Sequence, residues 1–129
     1  MRYVLDTVAL VRHFSAKGKL GRQARFILDN IEESGDVFII STISLMELMY
    51  LSEKQRINLN FQDTLTRIEQ SASYSIVDLN VEVLKVAASV DFYELHDRLI
   101  LATAKWLDIP IISSDRSFPG VEGIVVIWE

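Results

Sequence analysis

Four carboxylates stand apart from the rest of the 18 acidic residues in this chain. Asp6 directly follows a short β-prone run, Tyr3-Val4-Leu5, and Asp115 follows another, Ile109-Pro110-Ile111-Ile112, after Ser113-Ser114. Glu47 interrupts the most apolar helical stretch, between Leu45-Met46 and Leu48-Met49. Asp97 precedes Ile100, Leu101 and Ala104 by three, four and seven positions, the spacing that places it on their helix face. Most of the other acids, among them Glu32, Glu33, Glu53, Glu69, Glu82 and Asp91, fall where solvent accounts for them.

Taken singly, each of the four has a structural explanation. Asp6 can cap a helix, Asp97 can charge a helix N-terminus and Asp115 can begin a turn. Glu47 needs a partner, because an ionised carboxylate among apolar residues is costly. No base stands three or four positions away, where Ile43, Ser44, Tyr50 and Leu51 are found, so the partner must come from elsewhere, Arg98 or Arg116 included. Taken together, the four suggest a metal. Strand-end carboxylates on neighbouring strands, about 4.8 Å apart, raise each other's proton affinity. A hard divalent cation such as Mg2+ or Mn2+ removes that conflict with oxygen ligands. With no cysteine and only His13 and His96, the set describes an oxygen-only site and excludes a thiolate zinc centre or a Cys nucleophile.

The elements that must position these residues alternate between short apolar runs and amphipathic stretches. Strands are expected at Tyr3–Leu5, Val37–Ile40, Ser75–Val77, Ile109–Ile112 and Ile124–Ile127. Leu20, Ala24, Ile27, Leu28 and Ile31 predict one helix closed by Gly35. Ser41 or Thr42 caps a helix running to about Glu53, and Asn60 and Asn80 cap two more. A further helix carries Asp97 and ends near Leu107. Strands alternating with helices give an α/β fold with a mostly parallel sheet covered on both faces, whose ligands bind beyond the carboxyl ends of the strands.

The 129 residues make one domain, 1–129, and the 50% hydrophobic content excludes wholesale disorder. A net charge of −5 excludes a coat protein that works by neutralising a nucleic-acid backbone. No run approaches the roughly 20 apolar residues of a membrane span, and the N-terminus lacks a signal-peptide pattern, so a cytoplasmic location and no membrane partner are expected. Arg12, Lys17, Lys19 and Arg22 form a loose basic stretch, read as either a rim for nucleic acid or a solvated face. Tyr50 and Tyr93 are expected in core or boundary packing, with base stacking as the alternative, and His96 is expected to face solvent at a helix start rather than act as a general base.

Four blocks of sequence carry a resemblance: Tyr3-Val4-Leu5-Asp6-Thr7, Ile43-Ser44-Leu45-Met46-Glu47-Leu48, His96 through Ala104, and Ile111-Ile112-Ser113-Ser114-Asp115-Arg116-Ser117-Phe118. In order and spacing, the chain resembles the PIN-domain family, and its size resembles that of stand-alone VapC-type toxins. The resemblance implies a three-layer α/β/α sandwich with a five-stranded parallel sheet of order 3-2-1-4-5. It also implies a homodimeric, Mg2+- or Mn2+-dependent endoribonuclease, with RNA as substrate and an antitoxin protein as partner. Asp6, Glu47, Asp97 and Asp115 match the family's acidic site. Asp6, Asp97 and Asp115 are the metal ligands by this reading, and Glu47 orients water or supports the ligands. Thr7 and Ser113 would steady the carboxylates, while Arg98 and Arg116 are candidate contacts for substrate phosphates. Val8 departs from the family, which often has Ser or Asn there, and leaves a second reading open: a weak or inactive RNA-binding or dimerisation module. A phosphoacceptor receiver domain is disfavoured because no Lys follows the fourth or fifth strand. A haloacid-dehalogenase-type phosphatase is disfavoured because Val8 stands where its second Asp belongs.

Overall fold

The computed structural model describes residues 1–129. Five strands, β1 (Arg2–Leu5), β2 (Val37–Ser41), β3 (Tyr74–Val77), β4 (Ile111–Ile112) and β5 (Val126–Ile127), form one sheet of order β3-β2-β1-β4-β5. Every pairing is parallel, with Val4 opposite Ile39 on one side and Ile111 on the other. β1 is therefore central, and the chain reverses direction across the sheet between β1 and β4. That is where an open parallel sheet leaves a crevice at its carboxyl edge.

Seven helices cover the sheet: α1 (Thr7–Ser15), α2 (Arg22–Asp29), α3 (Ile31–Ser34), α4 (Thr42–Glu53), α5 (Phe61–Gln70), α6 (Val81–Ala87) and α7 (Leu95–Leu107). Side chains alternate across a strand, so the sheet divides its apolar residues between two cores. Val4, Ile39 and Ile111 pack with Leu99, Ile100, Leu101 and Val83 of α6 and α7. Tyr3, Leu5, Phe38, Ile40 and Ile112 pack with Leu10, Leu28, Leu48 and Ile68 of α1, α2, α4 and α5. The three-layer α/β/α architecture and the strand order are those the resemblance implies.

Local signals explain most boundaries. Ser41 caps α4 by accepting the Ile43 N–H, while Asn60 and Asn80 cap α5 and α6 through the N–H groups of Asp63 and Val83. One helix of the sequence reading is two. α2 ends at Asp29 and α3 begins at Ile31, because Asn30 turns its side-chain amide back onto the Phe26 carbonyl and leaves helical geometry, with φ −100° and ψ 16°. Gly35 closes α3 in the left-handed conformation. Leu20 precedes α2, whose start at Gly21 is set by contact: a Cβ there would lie 2.1 Å from the Trp128 carbonyl oxygen, which accepts the Ala24 N–H. β4 and β5 are two residues each, shorter than the apolar runs that contain them. Pro110 has no N–H for a ladder, although its carbonyl still accepts from Val4.

Candidate active site

The carboxyl edge of β1 places Asp6 at the N-cap of α1, so the capping and functional readings of this residue coincide. Its Oδ1 accepts the Ala9 N–H at 2.8 Å, and its Oδ2 accepts the Ser113 hydroxyl at 2.5 Å. Burial raises the Asp6 pKa and the charge of Asp115 adds to the rise, while the Ser113 and Ala9 hydrogen bonds oppose it. Ser113, buried just past β4, also accepts the Asp115 N–H at 3.1 Å. One hydroxyl thus joins the two strand-end acids. Asp115 Oδ1 accepts from both the N–H and the hydroxyl of Ser117, the turn its alternative reading anticipates.

Glu47 reaches the same edge from the second turn of α4. Thr7 donates its hydroxyl to Glu47 Oε1 at 2.5 Å and lies 3.1 Å from the hydroxyl oxygen of Ser44. Glu47 Oε2 is 3.5 Å from His96 Nδ1. His96, at the start of α7 as expected, is 43% exposed and also faces this acid, and Glu94 caps the helix by accepting the Asp97 N–H.

Asp97, in the first turn of α7, feels all the others. Burial, then Glu94, Glu47, Asp115 and Asp6, raise its pKa to about 6. Asp97 is held in negative potential, and no Lys or Arg nitrogen lies within 4.0 Å of any of the four carboxylates. No three His, Asp or Glu side chains stand close enough, as placed, to hold an ion. The donor chemistry nonetheless fits a hard divalent cation, since the oxygens are accumulated, partly desolvated and left without a cationic side chain.

The two candidate phosphate contacts are placed differently. Arg98 donates Nε–H to the Ala87 carbonyl at 2.8 Å, which ties α7 to α6. Arg116 is exposed and lines a cleft of about 580 Å³ with Ser113, Ser114 and Asp115. Tyr50 and Tyr93 are 48% and 85% exposed rather than packed in the core, and Tyr93 stacks on Phe92 with ring centres 4.8 Å apart. Sequence reasoning passed over Ser44 and Glu94. Glu94 could have been found from its spacing, three residues before the helical Asp97; Ser44 carries no signal until α1 and α4 are packed together.

With this geometry in place, the comparisons define the class. A family model for the PIN domain matches residues 3–124, and the chain belongs to that family. No curated protein sequence matches it. Among solved structures, VapBC2 from Rickettsia felis bound to a promoter DNA fragment aligns over 100% of both chains with TM-score 0.76 and 16% identity. A toxin-antitoxin complex from Klebsiella pneumoniae aligns over 95% of each chain, with TM-score 0.64 and 25% identity. FitAcB from Neisseria gonorrhoeae covers 98% of this chain and 96% of its own, with TM-score 0.66 and 19% identity.

Proposed function

We propose that this PIN-domain protein is a divalent-metal-dependent endoribonuclease and the toxin of a toxin–antitoxin pair. The observation that carries the reading is the setting of Asp97: four other carboxylates, Glu94, Glu47, Asp115 and Asp6, bear on it, and no Lys or Arg nitrogen lies within 4.0 Å of the site acids. Asp6, Asp97 and Asp115 are the residues that would hold Mg2+ or Mn2+. Such an ion supplies an activated water and neutralises charge on the phosphoryl oxygens.

The chain's own residues do the rest. Ser113 ties the Asp6 carboxylate to the Asp115 backbone N–H and so fixes the two residues relative to one another. Thr7 orients Glu47, whose Oε2 is directed towards His96 and is available to align a water. Arg116, exposed beside Asp115, is positioned for a substrate phosphate. Val8 is 43% exposed in the first turn of α1, and the Thr7 and Ser44 hydroxyls beside Glu47 supply polar support that Val8 does not.

Several of the structural neighbours are toxin–antitoxin complexes, which supports an antitoxin partner. A basic segment of that partner suits the negative site and the overall charge of −5. Homodimerisation, common in the family the sequence resembles, belongs to the same reading. No helix is long and apolar enough to cross a membrane. The deciding experiment is cleavage of labelled RNA by the parent and by Asp6→Asn, with Mg2+ or Mn2+ and with chelator. Asn preserves the cap, so loss of cleavage in the variant and under chelation is expected. Equal cleavage in every sample overturns the assignment, and RNA binding without cleavage by the parent establishes the inactive-module reading instead.

A further inference from the structure

A cleft of about 850 Å³ has none of the four acids in its lining. It is framed by the C-terminal half of α1, the loop after it, and the turn between α4 and α5. Arg12, Lys17 and Arg56 line it, and none of its twelve lining residues is acidic. In a chain of net charge −5 this is an unusual concentration of positive charge. None of the three bases makes an ion pair with a carboxylate of the chain.

Arg12 is held in place. Its Nη1 donates to the Lys19 carbonyl at 2.7 Å, and its guanidinium lies 5.8 Å from the ring centre of Trp128. Gly18, at φ +84°, leaves the space that the arginine occupies: a Cβ there would stand 3.0 Å from Arg12 Nε. One N–H is thereby used, and a guanidinium has five. A pre-positioned fork of this kind matches the oxygens of a phosphodiester. Arg56, across the cleft, lies 6.0 Å from the exposed Tyr50 ring, with Lys54 at 5.7 Å on the same ring.

The same two helices carry residues of the cleft and of the candidate site. Thr7, which holds Glu47, lies five residues before Arg12 on α1, and Glu47 lies five residues before Ser52 of the cleft wall on α4. At about 1.5 Å of rise per residue, the offset along each helix axis is roughly 7.5 Å.

We propose that the cleft lined by Arg12, Lys17 and Arg56 is a phosphate-binding subsite that holds the single-stranded RNA substrate to one side of the bond being cut. This rests on the ribonuclease reading and adds where the strand runs. An exposed aromatic ringed by cations beside the cleft suits a nucleobase face, which favours RNA over an acidic peptide.

The test measures binding separately from cleavage. Anisotropy of a labelled single-stranded RNA of about 12 nucleotides is followed in the Asp6→Asn background. Lys17→Gln with Arg56→Gln is expected to raise Kd about tenfold and to lower the slope of log K against log salt by about 1.4, two single-strand contacts at ~0.7 each. Gly18→Ala, which displaces Arg12 without altering net charge, is expected to weaken binding in the same direction. Arg2→Gln with Lys85→Gln, on surfaces outside the cleft, is the charge-matched control and is expected to leave Kd within twofold. Equal weakening by control and cleft variants, or no weakening by either, overturns the subsite. So does RNA affinity that is unchanged while an acidic peptide, such as oligoglutamate, loses binding. Cleavage by the parent alongside any of these results leaves the nuclease intact. A parent that binds RNA through the cleft but never cleaves it removes the nuclease and keeps the subsite.

Discussion

Ser113 is a single hydroxyl that serves the Asp6 carboxylate and the Asp115 backbone. Its replacement by alanine removes the buried donor to Asp6 Oδ2 and the half-buried acceptor for the Asp115 N–H. Ser113→Ala is expected to cost about 1–3 kcal/mol in urea unfolding and to weaken Mg2+ or Mn2+ binding about 10–100-fold by titration calorimetry. Asp97 gives the pH test. Its folded pKa of about 6 lies above the unfolded value of ~3.9, so the folded state binds the extra proton between them. The contribution to stability is complete below about pH 4 and is lost as pH rises through about 6. In metal-free protein, Asp97→Asn is therefore expected to raise Tm at pH 7, with the two melting curves converging near pH 4. Adding Mg2+ is expected to raise the parent's Tm more than the variant's; an equal response in both would remove Asp97 from the metal site.

At the scale of elements, Gly21 is the most demanding residue. Its φ of −62° suits any amino acid, so the constraint is the Trp128 carbonyl against it. Gly21→Ala is expected to destabilise by about 1–3 kcal/mol and, because α2 is pushed from the end of β5, to speed hydrogen exchange at the Ala24 amide. The helix caps show which local features the sequence discloses. Ser41, Asn60 and Asn80 are short polar residues before apolar runs, and each caps as its position suggests. Glu94 is a less obvious cap because glutamate is a poor general choice there, and only its spacing to Asp97 marks it in the sequence. Asn30 broke a continuous apolar periodicity with one side-chain hydrogen bond, which no moment of hydrophobicity registers. The four acids of the proposed site stand out in the sequence because Asp6 and Asp115 follow apolar runs and Glu47 and Asp97 interrupt apolar faces. Their supports stand out less: the contacts of Glu47 with Thr7, Ser44 and His96 exist only after α1, α4 and α7 are packed together.

At the scale of the molecule, the sheet separates two cores that share no side chain. Leu48 lies in one and Leu101 in the other, both fully buried. Each change to alanine is expected to cost about 2–5 kcal/mol, and the double variant is expected to show their sum within about 0.5 kcal/mol. A coupling well beyond that would mean that the β-layer transmits strain. Strand order was readable from the alternation of strands and helices together with the family likeness. The placement of Arg98 was not, because whether an arginine following an acid turns to the substrate or to a carbonyl of the neighbouring helix depends on a packing angle that periodicity does not encode.

The hydrogen bond between Ser113 and Asp6 spans 107 residues. A ribosome adding about 5–20 residues per second makes the two ends of that bond roughly 5–20 s apart. Throughout that interval the nascent chain displays Asp6 without Asp115, and a transcript cut short yields a polypeptide from which part of the acidic quartet is missing. On the proposed function, a fragment ending before Asp115 is therefore expected to be inert, because part of the quartet has not yet been made.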